Sequence, residues 1–334
     1  MDPKKKILVT GANGFIGQHL VRELLLAGYP VKAFVHKGSQ WKERPESIEV
    51  CEGDIRDEST KMAASGCDTI IHLAGKAHAL DEVSAEERDY EAINVDGTRH
   101  LLEGARAAGV QRFILASTVK VFGETAVDAV DERQLPAPAT AYARSKWAAE
   151  QLVQEYSRNI GMRSVSLRFP MVYGPTEKGN LFRMIGAIDR GYFPPLPRVT
   201  AVRSMLHVNN VALAVRRILE AEAQNPMQDC YIVTDADPYN VTDIYEWLRR
   251  GLGKSPPRVR VPLWLLESAA GVGEVLQSFT RRSIPLTRAT LQKLLAPAWY
   301  CPDAIIRDLN YRARFSFEDA LPELIAFYRQ SKKT

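Results

Sequence analysis

Tyr142 and Lys146 stand four residues apart in the run Ala141-Tyr142-Ala143-Arg144-Ser145-Lys146, which reads as helix. Residues at that spacing leave the same helix face. A free phenol titrates near ~10, too high for proton transfer at neutral pH. A neighbouring ammonium favours the phenolate and brings the group into a useful range for acid–base work. The same pair also occurs on solvated helix faces, so it signals chemistry only if the rest of the chain gives it something to act on.

The N-terminal segment does so. Ile7-Leu8-Val9-Thr10 is a short run of strand type, followed at once by Gly11-Ala12-Asn13-Gly14-Phe15-Ile16-Gly17. Gln18 to Ala27 then reads as helix, with Leu20, Val21, Leu24 and Leu25 on one stripe. Strand, glycine turn and helix form the dinucleotide-binding arrangement. Missing side chains let the backbone approach a pyrophosphate, whose charge is stabilised at the helix N-terminus. The spacing is G-x-x-G-x-x-G rather than the commoner G-x-G-x-x-G. A glycine-rich connection without ligand is the bland alternative, and three glycines at three-residue spacing between strand and helix argue against it.

These residues need a scaffold. Up to Val172 strand-like runs alternate with helical patterns, which predicts an α/β fold with a doubly wound parallel sheet. The strands are Ile7–Thr10, Val31–Val35, Ile48–Glu52, Thr69–Leu73, Arg112–Ala116 and Arg163–Arg168, and Glu91 to Ala108 is the clearest helix between them. Leu135-Pro136-Ala137-Pro138 is expected to loop over the site. After Pro175 the segments shorten around Pro194-Pro195-Leu196-Pro197, as suits a substrate lobe. A helix from Asn209 to Glu220 and a strand from Cys230 to Val233 return to the sheet. The expected division is 1–172 plus 206–234 for the dinucleotide lobe and 173–205 plus 235–334 for the smaller, interleaved substrate lobe.

Composition agrees. With 334 residues, 46% apolar and 25% charged, the chain has the balance of a soluble globular protein. A net charge of +4 spread along the chain gives no nucleic-acid-binding stripe, and Lys4-Lys5-Lys6 reads as a solubilising terminus. Cys51, Cys67, Cys230 and Cys301 are isolated, with neither metal-type spacing nor a disulfide framework. No signal peptide and no membrane span are expected, and the cytoplasm is the expected compartment. Val261 to Phe279, containing Leu263-Trp264-Leu265-Leu266, reads as a core or interface helix; contact with a membrane surface is the alternative.

Taken in order, Thr10-Gly11-x-x-Gly14-Phe15-Ile16-Gly17, Asp54, His72-Leu73-Ala74, Asn94-x-x-Gly97-Thr98, Ser117-Thr118 and Tyr142-x-x-x-Lys146 resemble one family, the extended short-chain dehydrogenase/reductases of the NAD-dependent epimerase/dehydratase group. The resemblance runs to about Leu219. It implies a Rossmann fold in which Asn13 and the glycine turn hold the cofactor, Asp54 with Ile55 contacts the adenine, and Leu73, Ala74, Gly75, Ala116 and Ser117 line the cofactor. Asn94 steadies the region behind the catalytic helix. The catalytic set is Thr118, Tyr142 and Lys146, with the Thr118 hydroxyl bonding the reacting oxygen and Lys146 also binding the nicotinamide ribose. Phe169-Pro170-Met171-Val172-Tyr173-Gly174-Pro175 matches the loop beside the nicotinamide, where Phe169 and Val172 belong to the cofactor site. Many nucleotide-sugar epimerases carry asparagine at the Met171 position.

Further segments narrow the resemblance to a bacterial branch of UDP-sugar 4-epimerases and 4-ketoreductases acting on N-acetylhexosamine derivatives for surface polysaccharide. They are His72-Leu73-Ala74-Gly75-Lys76-Ala77-His78, Lys120-Val121-Phe122-Gly123-Glu124, Arg144-Ser145-Lys146-Trp147-Ala148-Ala149-Glu150, Lys178-Gly179-Asn180-Leu181-Phe182, Pro195-Leu196-Pro197 and Arg203-Ser204. In that branch Arg203 grips the diphosphate, a task that suits a planar guanidinium. Asn180 reaches the nucleotide, and Lys76, His78, Lys120 and Met171 line the sugar side. For His78 and Lys120 a solvated loop position is an equal alternative.

Cofactor preference depends on the end of the second strand, where an acidic residue would bond the ribose 2′-hydroxyl of NAD. The chain has Val35-His36-Lys37-Gly38-Ser39 there, so NADP is permitted and the choice between NAD and NADP stays open. The family implies a homodimer. One rival is a ketoreductase of hydrophobic substrates resembling the 3β-hydroxysteroid dehydrogenase or dihydroflavonol reductase branch. Met171 and the apolar segment after Val261 favour it, whereas Arg203 and Asn180 oppose it. The other rival, a cofactor-sensing regulator, needs no proton-transfer pair.

Overall fold

A computed structural model describes residues 5–41, 43–77, 84–124, 126–177, 179–221, 227–257, 259–280 and 287–332. His78 falls outside them. The strands are β1 (Ile7–Thr10), β2 (Val31–His36), β3 (Glu49–Gly53), β4 (Thr69–His72), β5 (Arg112–Thr118), β6 (Ala126–Val130), β7 (Arg163–Phe169), β8 (Met171–Tyr173), β9 (Val202–Arg203), β10 (Met205–His207), β11 (Cys230–Ile232), β12 (Tyr239–Asn240) and β13 (Ala298–Tyr300). The helices are α1 (Phe15–Leu26), α2 (Ser84–Tyr90), α3 (Gly97–Ala108), α4 (Ala141–Ile160), α5 (Asn180–Asp189), α6 (Val208–Glu220), α7 (Val241–Gly251), α8 (Leu263–Thr280), α9 (Arg288–Leu295), α10 (Asp303–Leu309) and α11 (Phe317–Ser331).

Seven strands form one parallel sheet in the order β11-β7-β5-β4-β1-β2-β3. The winding reverses beside β1, and in such sheets ligands bind outside the carboxyl ends of the strands at that reversal. All seven strands read from the sequence are present, with ends shifted by no more than two residues. Their runs are apolar because both faces are covered. On one face Leu20, Val21 and Leu24 of α1 pack with Val211 and Val215 of α6; on the other, Leu101 and Leu102 of α3 pack with Ala149 and Val153 of α4.

A second core gathers α5, α7, α8, α9 and α11 around Tyr245, Leu248, Phe317 and Leu324. A four-stranded sheet, β12-β9-β13-β6, adjoins it. Residues 303–311, grouped with the substrate lobe by sequence, pack elsewhere: Ala304, Ile305, Leu309 and Tyr311 lie in the core of the parallel sheet. The helix read over Glu91 to Ala108 is also not uniform. Glu91–Asp96 is wound as a π-helix, and regular α-helix begins only at Gly97.

Candidate active site

The glycine turn is shaped by steric necessity. Gly11 has φ +65, and a Cβ there would lie 2.9 Å from the Ala74 nitrogen. A Cβ on Gly17 would strike the Gly11 carbonyl and stand 2.8 Å from the Ala12 backbone. With Gly14 as N-cap, no side chain hydrogen-bonds the start of α1 and its first turn holds no acidic residue. Phe15 and Ile16 open this helix, so its amides and dipole are available to a phosphate. Asn13 fastens the turn to the loop after β2 by donating to the Ser39 hydroxyl at 2.8 Å. These features fit a dinucleotide.

At the ends of β2 and β3, His36 Nε2 stands 3.6 Å from an Asp54 carboxylate oxygen. The Arg56 guanidinium grips the same carboxylate and holds Asp54 down to about 2. His36 is exposed, as is Lys37, whose amide bonds the Gly53 carbonyl at 3.1 Å. Ile55 is buried and limits the approach of α3: a Cβ on Gly97 would come 2.9 Å from its side chain.

α4 starts at Thr140, whose hydroxyl accepts the Ala143 amide at 3.2 Å. That cap sets the phase that puts Tyr142 and Lys146 on one face. The Tyr142 ring leans on Tyr90 at 5.9 Å and 52°. Burial pushes its phenol up to about 12, while hydrogen bonding with Thr118 pulls the other way. The sequence leads to the expectation of a phenol lowered by its neighbouring ammonium; the direction is the opposite, because burial disfavours the phenolate. Lys146 is 7% exposed and has no hydrogen-bond or ion-pair partner among the described residues. Burial brings its ammonium down to about 8, opposed by Glu150 on the next turn. Its Nζ faces Gly75, where a Cβ would lie 3.9 Å away and would crowd Asn94 Oδ1 at 2.9 Å. A buried ammonium without a partner, beside a residue that has no side chain, is what an incoming polar ligand would complete.

Asn94 sits in the π-helical turn and ties three elements together. Its Oδ1 accepts the Lys76 amide at 2.9 Å, and its Nδ2 donates to the Lys76 carbonyl at 3.1 Å and the Ser145 hydroxyl at 2.9 Å. His72, quoted in the motif but given no role, is the residue that sequence reasoning missed. It bridges Thr10 Oγ1 at 2.7 Å and Thr98 Oγ1 at 3.1 Å, and the Ala74 amide donates to the same Thr10 hydroxyl. Thr98 spends its proton on the Asn94 carbonyl at 2.6 Å. His72 therefore donates from Nε2 and accepts at Nδ1, a neutral imidazole, and burial holds it down at about 3.

The Ser117 hydroxyl turns into the core, where it donates to Glu150. Glu150 is fully buried and pairs with Arg168 of β7 at 2.7 Å. Arg168 in turn lies over Phe122 at 4.7 Å and Trp147 at 5.6 Å. Ala116, Leu73 and Ala74 are half-buried at the strand ends, and Phe169 is buried where β7 stops. β8 carries Met171 and Val172, both half-buried, and pairs in parallel with β10. Asp235 anchors β8 and β10, taking the Tyr173 hydroxyl at 2.7 Å and the His207 amide at 2.9 Å.

The expected substrate residues are more dispersed. Lys76 pairs with Asp89 at 2.8 Å with its ammonium 5.3 Å from the Tyr90 ring centre, close to Tyr142. Lys120 is exposed and reaches Glu124 at 3.3 Å. Asn180 is exposed as the first residue of α5. Arg203, on β9, donates to the Ala296 carbonyl at 3.0 Å, beyond the end of α9.

The family model described as the NAD dependent epimerase/dehydratase family matches residues 7–233. UDP-glucose 4-epimerase of Vibrio cholerae is 31% identical, the match covering 78% of this chain and 80% of that one. A 3 beta-hydroxysteroid dehydrogenase/Delta 5-->4-isomerase of Mycobacterium tuberculosis is 28% identical over 97% of this chain and 90% of its own. The crystal structure of the Thermus thermophilus UDP-glucose 4-epimerase complexed with NAD superposes with TM-score 0.73 at 23% identity, covering 97% of this chain and 99% of that one. The chain belongs to the NAD dependent epimerase/dehydratase family.

Proposed function

We propose that this protein is an NAD(P)-dependent nucleotide-sugar 4-epimerase or 4-ketoreductase acting at C4 of a UDP-hexose or UDP-N-acetylhexosamine derivative. The observation that carries the reading is the meeting of Tyr142 with Thr118 on the face of α4 that also buries an unpartnered Lys146 ammonium. When bound, the nicotinamide supplies the hydride acceptor or donor. Gly11, Gly14 and Gly17 admit the pyrophosphate to the start of α1, and Lys146 holds the ribose hydroxyls.

Thr118 orients the C4 oxygen by hydrogen bonding. Tyr142, raised to about 12, is protonated throughout the neutral range and is set to give its proton to that oxygen as a 4-keto group is reduced. The reverse half, in which the phenolate removes the C4 hydroxyl proton, requires positive charge nearby, and Lys146 is the cation on the next turn. An epimerase uses both halves and turns the 4-keto sugar over between them; a ketoreductase uses one. Arg203 takes the diphosphate and Asn180 reaches the nucleotide, and the enzyme works as a cytoplasmic homodimer in surface-polysaccharide assembly. NAD and NADP both suit the exposed His36 and Lys37.

Incubation with UDP-sugars, following isomer composition and cofactor absorbance together, tests this reading. Isomerisation without net cofactor change identifies an epimerase, and stoichiometric oxidation of reduced cofactor identifies a reductase; neither event across a broad panel overturns the proposal. Met171 on β8 favours one second reading, a ketoreductase of hydrophobic substrates. Stabilisation by UDP separates the two, since only a nucleotide site responds.

A further inference from the structure

A buried network of one ion pair, one hydroxyl and two rings borders the catalytic positions. Ser117 precedes Thr118, Trp147 follows Lys146, and Glu150 comes one turn after Lys146 on α4. Ser117 and Arg168 are opposite partners where β5 pairs with β7, so both side chains rise from one place on the sheet. Glu150 meets them from the helix. Arg168 Nε donates to both of its carboxylate oxygens at 3.2 Å and a terminal nitrogen donates to Oε2 at 2.7 Å, while Ser117 donates to Oε1. Phe122 and Trp147 lie against the guanidinium. Glu150 is 0% exposed and Arg168 2%. Stability alone does not account for such a pair. Lost hydration offsets the attraction between buried charges, and apolar side chains of similar size would fill the space as well.

The group this charge acts on is Lys146. Burial lowers its ammonium to about 8, and Glu150 is the charge that opposes the fall. The other described groups around it bring no negative charge. His72 of β4, which feels the Lys146 charge, is a neutral imidazole. Tyr142, on the same helix, is a protonated phenol. The π-helical turn presents the neutral Asn94 amide beside Gly75, and β5 brings the hydroxyls of Ser117 and Thr118. Arg168 of β7 is a cation, and it is bound to Glu150.

We propose that Glu150 is a positioning residue for Thr118, Tyr142 and Lys146: clamped by Arg168 and Ser117, its carboxylate ties the catalytic helix to the strand end bearing Thr118 and fixes a negative charge one helical turn from the Lys146 ammonium. The consequence is that Lys146 keeps its proton at neutral pH although it is buried. The role rests on the proposed reaction, in which Lys146 holds the ribose and is the cation beside Tyr142.

The test follows the Lys146 side chain by carbon-13 NMR as pH is raised, in the protein without cofactor or substrate. Glu150→Gln keeps the size and an acceptor for Ser117 but removes the charge. The Lys146 midpoint should fall by at least about one pH unit, because a charge at this range acts through protein rather than bulk water. The double variant Glu150→Gln/Arg168→Met leaves the network uncharged and should keep at least about half of that fall. A network that only holds the fold would lower stability and leave the midpoint alone. A midpoint within about 0.3 pH units of wild type in folded Glu150→Gln therefore overturns the proposal. So does a fall in the single variant that vanishes in the double, which would assign it to the stranded Arg168. Failure of both variants to fold would make the pair part of the core and nothing more, and counts against it equally. In turnover assays the alkaline limb should move with the midpoint, and a limb that stays put while the midpoint moves overturns the catalytic role. Because the titration needs no reaction, a protein inactive on every nucleotide sugar would overturn the proposed function and leave the link between Glu150 and Lys146 standing.

Discussion

The Asn94 side-chain amide donates to the Ser145 hydroxyl at 2.9 Å, joining the π-helical turn before α3 to the catalytic helix α4. Ser145 passes the link on by donating to the Tyr142 carbonyl at 2.9 Å. The same asparagine holds the backbone of Lys76, next to Gly75. The Asn94 amide is thus one link between Tyr142 and the loop beyond β4.

Asn94→Ala removes these bonds and leaves the buried Ser145 and Lys76 groups short of partners. A loss of ~2 kcal/mol in urea unfolding is expected, together with a roughly tenfold fall in turnover. Turnover and stability both at wild-type levels would deny Asn94 a positioning role.

His72 sets an acid limit on stability. In the fold it stays neutral down to about 3, whereas in the unfolded chain it takes a proton near ~6.5. Between those values the unfolded state binds the extra proton, so stability is full above the upper limit and declines as pH falls, by up to ~1.4 kcal/mol per pH unit. His207, held at about 4 by burial, adds a contribution of the same sign over a narrower window. His72→Gln costs stability at neutral pH but flattens the acid slope by up to one proton. Unfolding titrations across this range, with equal slopes for variant and wild type, would contradict the neutral assignment.

Lys146 links cofactor affinity to pH. Its ammonium is lowered to about 8 by burial, so the charged form that would bind ribose hydroxyls is lost above that value. Affinity should fall as pH rises through it, and Lys146→Met should bind weakly with little pH dependence. Wild-type affinity that stays flat between about pH 7 and about pH 9.5 would remove the ammonium from the cofactor site.

Local spacing made the centre of this site readable. Three glycines in seven residues and a tyrosine four residues before a lysine are short-range patterns, and strands buried on both faces appear as continuous apolar runs. The other features are tertiary. Glu150 and Arg168 are 18 positions apart and meet only once α4 lies on β7. Asp235 gathers Tyr173, His207, Asn210 and Tyr239 from separate segments. The π-helical turn adds backbone to a helix without disturbing its apolar stripe, so periodicity passes over it. β9 and β12 have two residues each, too few to show an alternation. The raised Tyr142 phenol depends on burial, which spacing does not encode.

Turnover of Tyr142→Phe, with cofactor affinity measured in parallel, is the most direct examination of the proton-transfer assignment. Removing one hydroxyl should lower turnover by ~10²–10⁴-fold and leave cofactor affinity within about threefold of wild type. Turnover above about a tenth of wild type, in a variant that still binds cofactor, would show that another group moves the proton.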